Sequence, residues 1–403
     1  MSRDFYGQLV IYTYYEMPWK IKAGDHARIH IISKTLSEII NHTIVYSLGG
    51  QYNITKMFMP IWVDNVIYVL IPRKFYRLIS RVIHWRSKED LNHLIKLTHY
   101  IDEALVAAKL ASQARCATIY IFGSMSLFSF FLRLCKVQST IIYDPLANYA
   151  QTLYLRSRNS ILETLKYGLY LALHKLQLRA SNLVVYPSAV DLENAKRMFR
   201  LHRVSLVPNP YPLCYENLEN YTLLRSARAS FKKPYFVLLA GARGKSNEEL
   251  VKLVIKIFNE ISFDKFELFI TGPWQDITNL VKNPSIKLLG TLPHEKLKEL
   301  LATADYGLAP VFSHAAGTFL KTLAYAAAGL DIIASPQALA GINLKRIKSK
   351  IYLVRSEKEF EETVRRLVSE WSGERRNREV LTCDEALAEL KRSLEETLKA
   401  AAR

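Results

Sequence analysis

Two hydrophobic periods alternate along this chain. Short apolar runs of strand type are separated by stretches whose apolar residues recur every three to four positions, the period of a helix with one buried face. The runs predict strands at Gln8–Tyr14, Thr43–Ser47, Asn65–Ile71, Thr118–Phe122, Ser139–Tyr143 and Leu183–Tyr186. A second series follows at Tyr235–Ala240, Glu267–Thr271, Ile286–Leu289, Tyr306–Leu308 and Asp331–Ala334. A helix is expected from about Asp25 to Ile40, with Gly24 ending the loop before it and Asp25 as its N-cap. Strands alternating with helices argue for an α/β fold with parallel sheets built from βαβ units. The two series meet near the proline-rich Val207-Pro208-Asn209-Pro210-Tyr211-Pro212. They predict two doubly wound, Rossmann-like parallel-sheet domains facing across a cleft, over residues 1–212 and 213–375, with residues 376–403 as a helical ending. Ligands of such sheets bind beyond the C-terminal ends of the strands, so the cleft is the expected site.

Composition narrows the class. Half of the 403 residues are apolar and about a quarter charged, which is globular and not disordered. Cys116, Cys135, Cys214 and Cys383 are scattered with no Cys-x-x-Cys pair. That spacing argues against a zinc site or a disulfide framework and fits a reducing cytosol. The N-terminal MSRDFYGQLV lacks the layout of a signal peptide. The longest charge-free apolar-looking stretch, Thr118 to Leu132, is too short to cross a bilayer. The expected location is cytoplasmic, with a peripheral position on the inner face of the membrane as the alternative.

Charge changes the picture more. The net charge is +18, and residues 1–210 hold 26 Lys/Arg against 13 Asp/Glu, whereas the remainder holds 29 against 24. The basic half either faces something anionic or is simply well solvated. Nucleic acid has no support beyond charge, since no zinc finger, RNP-like strand or basic low-complexity tail is present. The segment Pro72–Lys88 concentrates the excess: at helical spacing Arg73, Lys74, Arg77, Arg81 and His84 share one face, and Phe75, Leu78, Ile79, Val82 and Trp85 the other. Such a helix either lies in an anionic membrane surface, with Arg73, Arg77, Arg81 and Trp85 at the contact, or packs its apolar side on the sheet. No metal is expected: there is no Asp-x-Asp, and His26 and His30, four apart, have no third ligand.

The densest chemistry lies in ATADYGLAPVFSHAAGTFLKTLAYAAAGLDIIASP, residues 302–336. It reads as a buried strand, a loop of small residues, a helix opening near Gly317-Thr318, and a second strand, with Gly329 where a helix C-cap belongs. Small residues allow close approach of a ligand to the backbone, and free N–H groups at a helix start suit an anion, with Lys321 one turn in. Ala304-Asp305, Pro310, Gly317, Lys321, Leu323, Ala327 and Gly329 together resemble the donor-binding segment of GT-B glycosyltransferases of the group 1, family 4-like kind. Ser181–Ser188, Val204–Pro212, the Gly241–Asn247 loop, Gly272 and Gly290 follow that family's order as well.

The resemblance implies an enzyme, a glycosyltransferase moving a sugar from a nucleotide-sugar donor to a lipid-linked or glycan acceptor. It implies retention of configuration, no cofactor beyond the donor, and a C-terminal ending that packs back on the first domain. Leu387, Leu390, Leu394 and Leu398 recur at the spacing such an ending needs. Arg243 or Lys245, with Lys321, would stabilise the charge growing on the diphosphate as the glycosidic bond breaks. Gly317 and Thr318 would offer N–H and hydroxyl groups to it, and the Gly24 loop would pass close by. For Arg243 and Lys245 the plain alternative is a solvated turn; for Gly317, Thr318 and Gly24 it is an ordinary helix start. Asp144, at a strand C-terminus, could orient an acceptor hydroxyl, or cap an Asx turn at Asp144-Pro145. The chain departs from the family at two places: Ala316 and Ala324 stand where glutamates usually contact the donor sugar and ribose. Tyr325 and His314 are the nearest polar replacements. The loss of those carboxylates makes a non-catalytic GT-B relative, serving as subunit or scaffold, the competing expectation.

Overall fold

The structure, a computed structural model, describes residues 9–13, 24–40, 43–49, 60–63, 66–72, 101, 103–108, 118–123, 127–146, 161–214, 232–241, 245–312, 319–344, 347–373 and 379–402. The chain divides into two compact units. The first runs to Pro208 and takes in Leu390–Arg403, and the second is built on Asn209–Glu389.

The first unit is organised on one sheet of eight described strands: β1 (Leu9–Thr13), β2 (Thr43–Gly49), β3 (Pro60–Val63), β4 (Val66–Pro72), β5 (Thr118–Phe122), β6 (Thr140–Asp144), β7 (Leu183–Tyr186) and β8 (Val204–Leu206). Their order is β3-β4-β2-β1-β5-β6-β7-β8. Every neighbouring pair is parallel except β3 with β4. The antiparallel β3 was not predicted from the sequence; PIWV is too short a run to register as a strand by itself. Central strands of a parallel sheet are covered on both faces and so are apolar throughout. Ile119 to Phe122 and Ile141 to Tyr143 are accordingly all fully buried. The helix after β1 is Gly24–Ile39, so Gly24 is its first residue and not the last of the loop, and Asp25 is helical instead of capping.

The second unit has a six-stranded, all-parallel sheet from β9 (Tyr235–Leu239), β10 (Glu267–Thr271), β11 (Ile286–Gly290), β12 (Tyr306–Ala309), β13 (Asp331–Ala334) and β14 (Ile351–Leu353). The order β11-β10-β9-β12-β13-β14 reverses direction between β9 and β12. At the N-terminal ends of these two strands the buried Asp305 accepts from the Tyr235 N–H at 2.8 Å and donates its own N–H to the Tyr235 carbonyl at 2.8 Å. The Ala304-Asp305 motif is therefore a clamp at the end of the sheet opposite its binding edge.

The closing helix, Cys383–Ala401, starts with a capping box: the Glu385 N–H donates to the Thr382 hydroxyl at 3.3 Å, and the Thr382 N–H to Glu385 Oε2 at 3.1 Å. Leu390 and Leu394 are buried, and the Thr397 and Ser205 hydroxyls hydrogen-bond at 2.8 Å beside β8. The cysteine expectation fails here. Cys214 and Cys383 form a disulfide across 169 positions, with Cα atoms 4.8 Å apart. Their distance in sequence hid a pairing that only the folded second unit creates, and the argument for a reducing cytosol loses its footing. No helix among the described residues is long and apolar enough to cross a membrane.

Candidate functional site

The reversal between β9 and β12 is where a doubly wound sheet opens a crevice for a ligand. Three features build that edge. The first is a sequence of strand-end staples. The Ala240 N–H donates to the Thr271 carbonyl at 3.2 Å, the Gly272 N–H to the Gly290 carbonyl at 2.8 Å, and the buried Trp274 indole N–H to the Ala240 carbonyl at 2.7 Å. Gly272 holds a positive φ of 111°, and a Cβ there would lie 2.0 Å from the Ala240 oxygen. No other residue fits, which is the physical reason for a glycine after β10.

The second is Tyr325, on the helix Leu320–Ala327. β9 and β12 pair only at Phe236–Tyr306 and Val237–Gly307. Beyond that the Tyr325 hydroxyl enters, accepting from the Leu239 N–H at 2.8 Å and donating to the Leu308 carbonyl at 3.2 Å. Its ring is fully buried, and desolvation pushes the phenol well above its ordinary range. Tyr325 is thus committed to the sheet, which argues against it as the polar replacement expected near Ala324. Ala324 beside it is buried and carries no polar group.

The third is Lys321. The helix begins at Leu320, not near Gly317, with Phe319 in the N-cap position and no side chain capping it. Lys321 therefore lies in the first turn, closer to the helix start than expected. Its ammonium is half-buried and donates to Asn247 Oδ1 at 2.9 Å. Asn247 is in the first turn of Lys245–Asn259, the helix that follows β9. The helices after β9 and β12 are thus tied together at their starts by one cation. Burial pushes Lys321 down from 10.5 to about 8, and among the described residues no carboxylate pairs with it. A cation at a helix start with no carboxylate partner among the described residues is chemically suited to an anion. Gly329 ends the same helix with φ 65°: its N–H reaches the Ala326 carbonyl at 3.0 Å and the Leu330 N–H reaches Tyr325 at 3.0 Å. This is the Schellman pattern expected of Gly329.

In the first unit the strand-end carboxylate is fully enclosed. Asp144 is inaccessible to solvent, and its Oδ2 accepts from Arg28 Nη2 at 2.7 Å, Arg28 Nε at 3.2 Å and the Tyr120 hydroxyl at 3.1 Å. Oδ1 takes the Leu146 N–H at 2.9 Å, the Asx turn anticipated at Asp144-Pro145. Arg28 spends its other donors on the carbonyls of Val207 and Pro208, at 3.0 and 3.1 Å. The result is a structural knot joining the first helix, β5, β6 and the end of β8. Asp144 is fully buried with both oxygens engaged, an arrangement that favours the turn over the catalytic expectation. Sequence reading passed over Arg28. Its signal was a lone cation on the face shared with Ile32 and Leu36, a place that demands a buried carboxylate partner.

The remaining candidates divide by position. Gly24 and Lys245 each open a helix, and the Lys245 side chain lies outside what is described. Arg243, Gly317, Thr318, Ala316 and His314 fall outside the described residues, as do Arg73, Arg77, Arg81 and Trp85. No group of three metal-ligating side chains gathers among the described residues.

Residues 234–370 match the family model for Glycosyl transferases group 1. A search of curated proteins gives no match by sequence. Among solved structures the chain is similar to sucrose-phosphate synthase from Thermosynechococcus elongatus, with TM-score 0.64 and 11% identity over 98% of this chain and 96% of that one. It is similar also to an alpha,alpha-trehalose-phosphate synthase (UDP-forming) from Burkholderia xenovorans in complex with glucose-6-phosphate, at TM-score 0.61 and 14% identity over 98% and 97%. A third is WaaG, a glycosyltransferase involved in lipopolysaccharide biosynthesis, at TM-score 0.62 and 13% identity over 98% of both chains. The chain has the GT-B fold of these structures, and the part of it that matches the glycosyl transferases group 1 model, residues 234–370, lies in the second unit.

Proposed function

We propose that this glycosyltransferase takes a sugar from a nucleotide-sugar donor seated on the second unit and passes it to a lipid-linked or glycan acceptor, with retention of configuration. One observation carries the reading: Lys321, half-buried, braced by Asn247 at the reversal of the second sheet and without a carboxylate partner among the described residues. Bracing Asn247 needs only a hydrogen-bond donor, whereas a departing diphosphate makes use of the charge as well. In the proposed step the bond from the anomeric carbon to the diphosphate oxygen breaks and a bond to the acceptor oxygen forms. The acceptor proton leaves to the diphosphate. Lys321 stabilises the charge that grows on the leaving group, and Arg243, Lys245, Gly317 and Thr318 are proposed to line the same phosphates. The similarity to a UDP-forming synthase makes UDP the first nucleotide to try.

The competing reading, a non-catalytic relative, draws on Ala324, where the side chain is an apolar part of the core. Thermal unfolding with UDP, GDP and ADP separates the two. A donor site raises the midpoint with one of them through binding linkage, by about 2.7 kcal/mol of stability at a hundredfold excess over Kd. No shift with any of the three at millimolar concentration would leave the scaffold reading standing.

A further inference from the structure

The helix Ile161–Ala180 of the first unit is held by one face and leaves an apolar stripe on the other. Its inner face is well anchored. Tyr170, His174, Gln177 and Leu178 are buried, Gln177 Oε1 accepts the Ser129 N–H at 2.9 Å, and the His174 ring packs against Tyr143, Tyr170 and Phe199. Outward, Leu165, Leu169 and Leu176 are 66%, 63% and 41% exposed. Together with the exposed Ala172 they recur at i, i+4, i+7 and i+11, one continuous line along the helix. Gly168 on the same side has open space where a side chain would be. Core packing does not account for leucines in that register pointing outward.

One edge of the stripe is basic. Lys175 and Arg179, one turn apart, are both exposed, and neither pairs with a carboxylate among the described residues. They belong to the half of the chain with 26 Lys/Arg against 13 Asp/Glu. We propose that this helix lies flat in a bilayer surface that carries anionic headgroups, its leucines entering the acyl boundary and Lys175 and Arg179 meeting the headgroup charge. The helix carries Glu163, Lys166, Lys175 and Arg179 within its twenty residues, so it suits a position on the membrane and not across it. A second copy laid face to face on the stripe would bring two basic rims together, whereas an anionic surface neutralises them. The inference is independent of the donor site and of the segment Pro72–Lys88.

The test is co-sedimentation of the full chain with vesicles of phosphatidylcholine alone or mixed with phosphatidylglycerol, in low and moderate salt. The expected result is binding to the mixed vesicles only, weakened by salt. Leu165→Ser with Leu169→Ser, and separately Lys175→Glu with Arg179→Glu, are each expected to weaken it at least about tenfold. The exposed charge-reversal pair tests the idea even if the leucine pair impairs folding, and the thermal midpoint of each variant reports on that. Equal binding to both vesicle types, or full binding by the charge-reversal variant, would overturn the proposal. So would a concentration-dependent dimer in light scattering that Leu169→Ser abolishes, since a second copy would then own the stripe. Nucleotide-induced stabilisation, measured on the same variants, stays unchanged whichever way the vesicle result falls, so failure here is distinct from failure of the donor reading.

Discussion

The ring of Tyr325 lies directly against Gly307: a Cβ on that glycine would stand 2.3 Å from the ring. The contact is what lets the Tyr325 hydroxyl reach between Leu239 and Leu308. A strand glycine, usually a weakness, here makes room for the side chain that terminates β9–β12 pairing and opens the sheet where a ligand would enter.

Gly307→Ala forces the Tyr325 ring outward and is expected to cost about 1–3 kcal/mol, as overpacking of a tight core does. Tyr325→Phe keeps the ring but leaves a buried N–H and carbonyl unpaired, for about 1–3 kcal/mol. Chemical denaturation of both single variants and the double variant checks this. The double should cost clearly less than the sum, because both changes act on one contact. Strict additivity would separate the two residues.

Asp144→Asn is expected to destabilise the protein by roughly 3–5 kcal/mol, since Arg28 would remain buried with its charge unmatched. Asp144→Asn with Arg28→Met should recover part of that loss. Lost turnover at unchanged stability would instead restore Asp144 as an acceptor-side group.

Lys321 predicts a pH signature. Burial lowers its folded value to about 8, against an ordinary 10.5. The unfolded chain therefore binds more protons between about 8 and 10.5, and this residue's contribution makes stability rise with pH in that window. A bound diphosphate pulls the other way, favouring the ammonium. Affinity for the nucleoside diphosphate should fall as pH rises above 8, by up to about tenfold per unit. Titration calorimetry of wild type and Lys321→Met between pH 7 and 9.5 tests this. The variant should bind more weakly at pH 7 and show a flatter profile, with turnover reduced about tenfold or more.

Reduction of Cys214–Cys383 is expected to lower stability by about 2–4 kcal/mol, the usual range for a bridge closing a long loop. Thermal unfolding with and without dithiothreitol should separate for the wild type and coincide for Cys383→Ser. Identical wild-type curves would mean that the two sulfurs are not joined in solution.

Sequence alone determined the α/β class, the two parallel sheets and most strand positions, because hydrophobic period and glycine placement are local. Gly272, Gly290 and Gly329 were legible for that reason: each is required by the backbone conformation or the close approach at its own position. The motif also pointed to Lys321 by its spacing from Gly317. What lay beyond reach depended on residues far apart in the chain. Arg28 meets Asp144 across 116 positions, Cys214 meets Cys383 across 169, and Lys321 meets Asn247 across 74. No local pattern encodes which strand ends become neighbours, so partner choice waits for the sheet order. The same holds for Tyr325. Its sequence position suggested a polar group at the site, and only the packing of its ring on Gly307 turned it inward to serve the sheet.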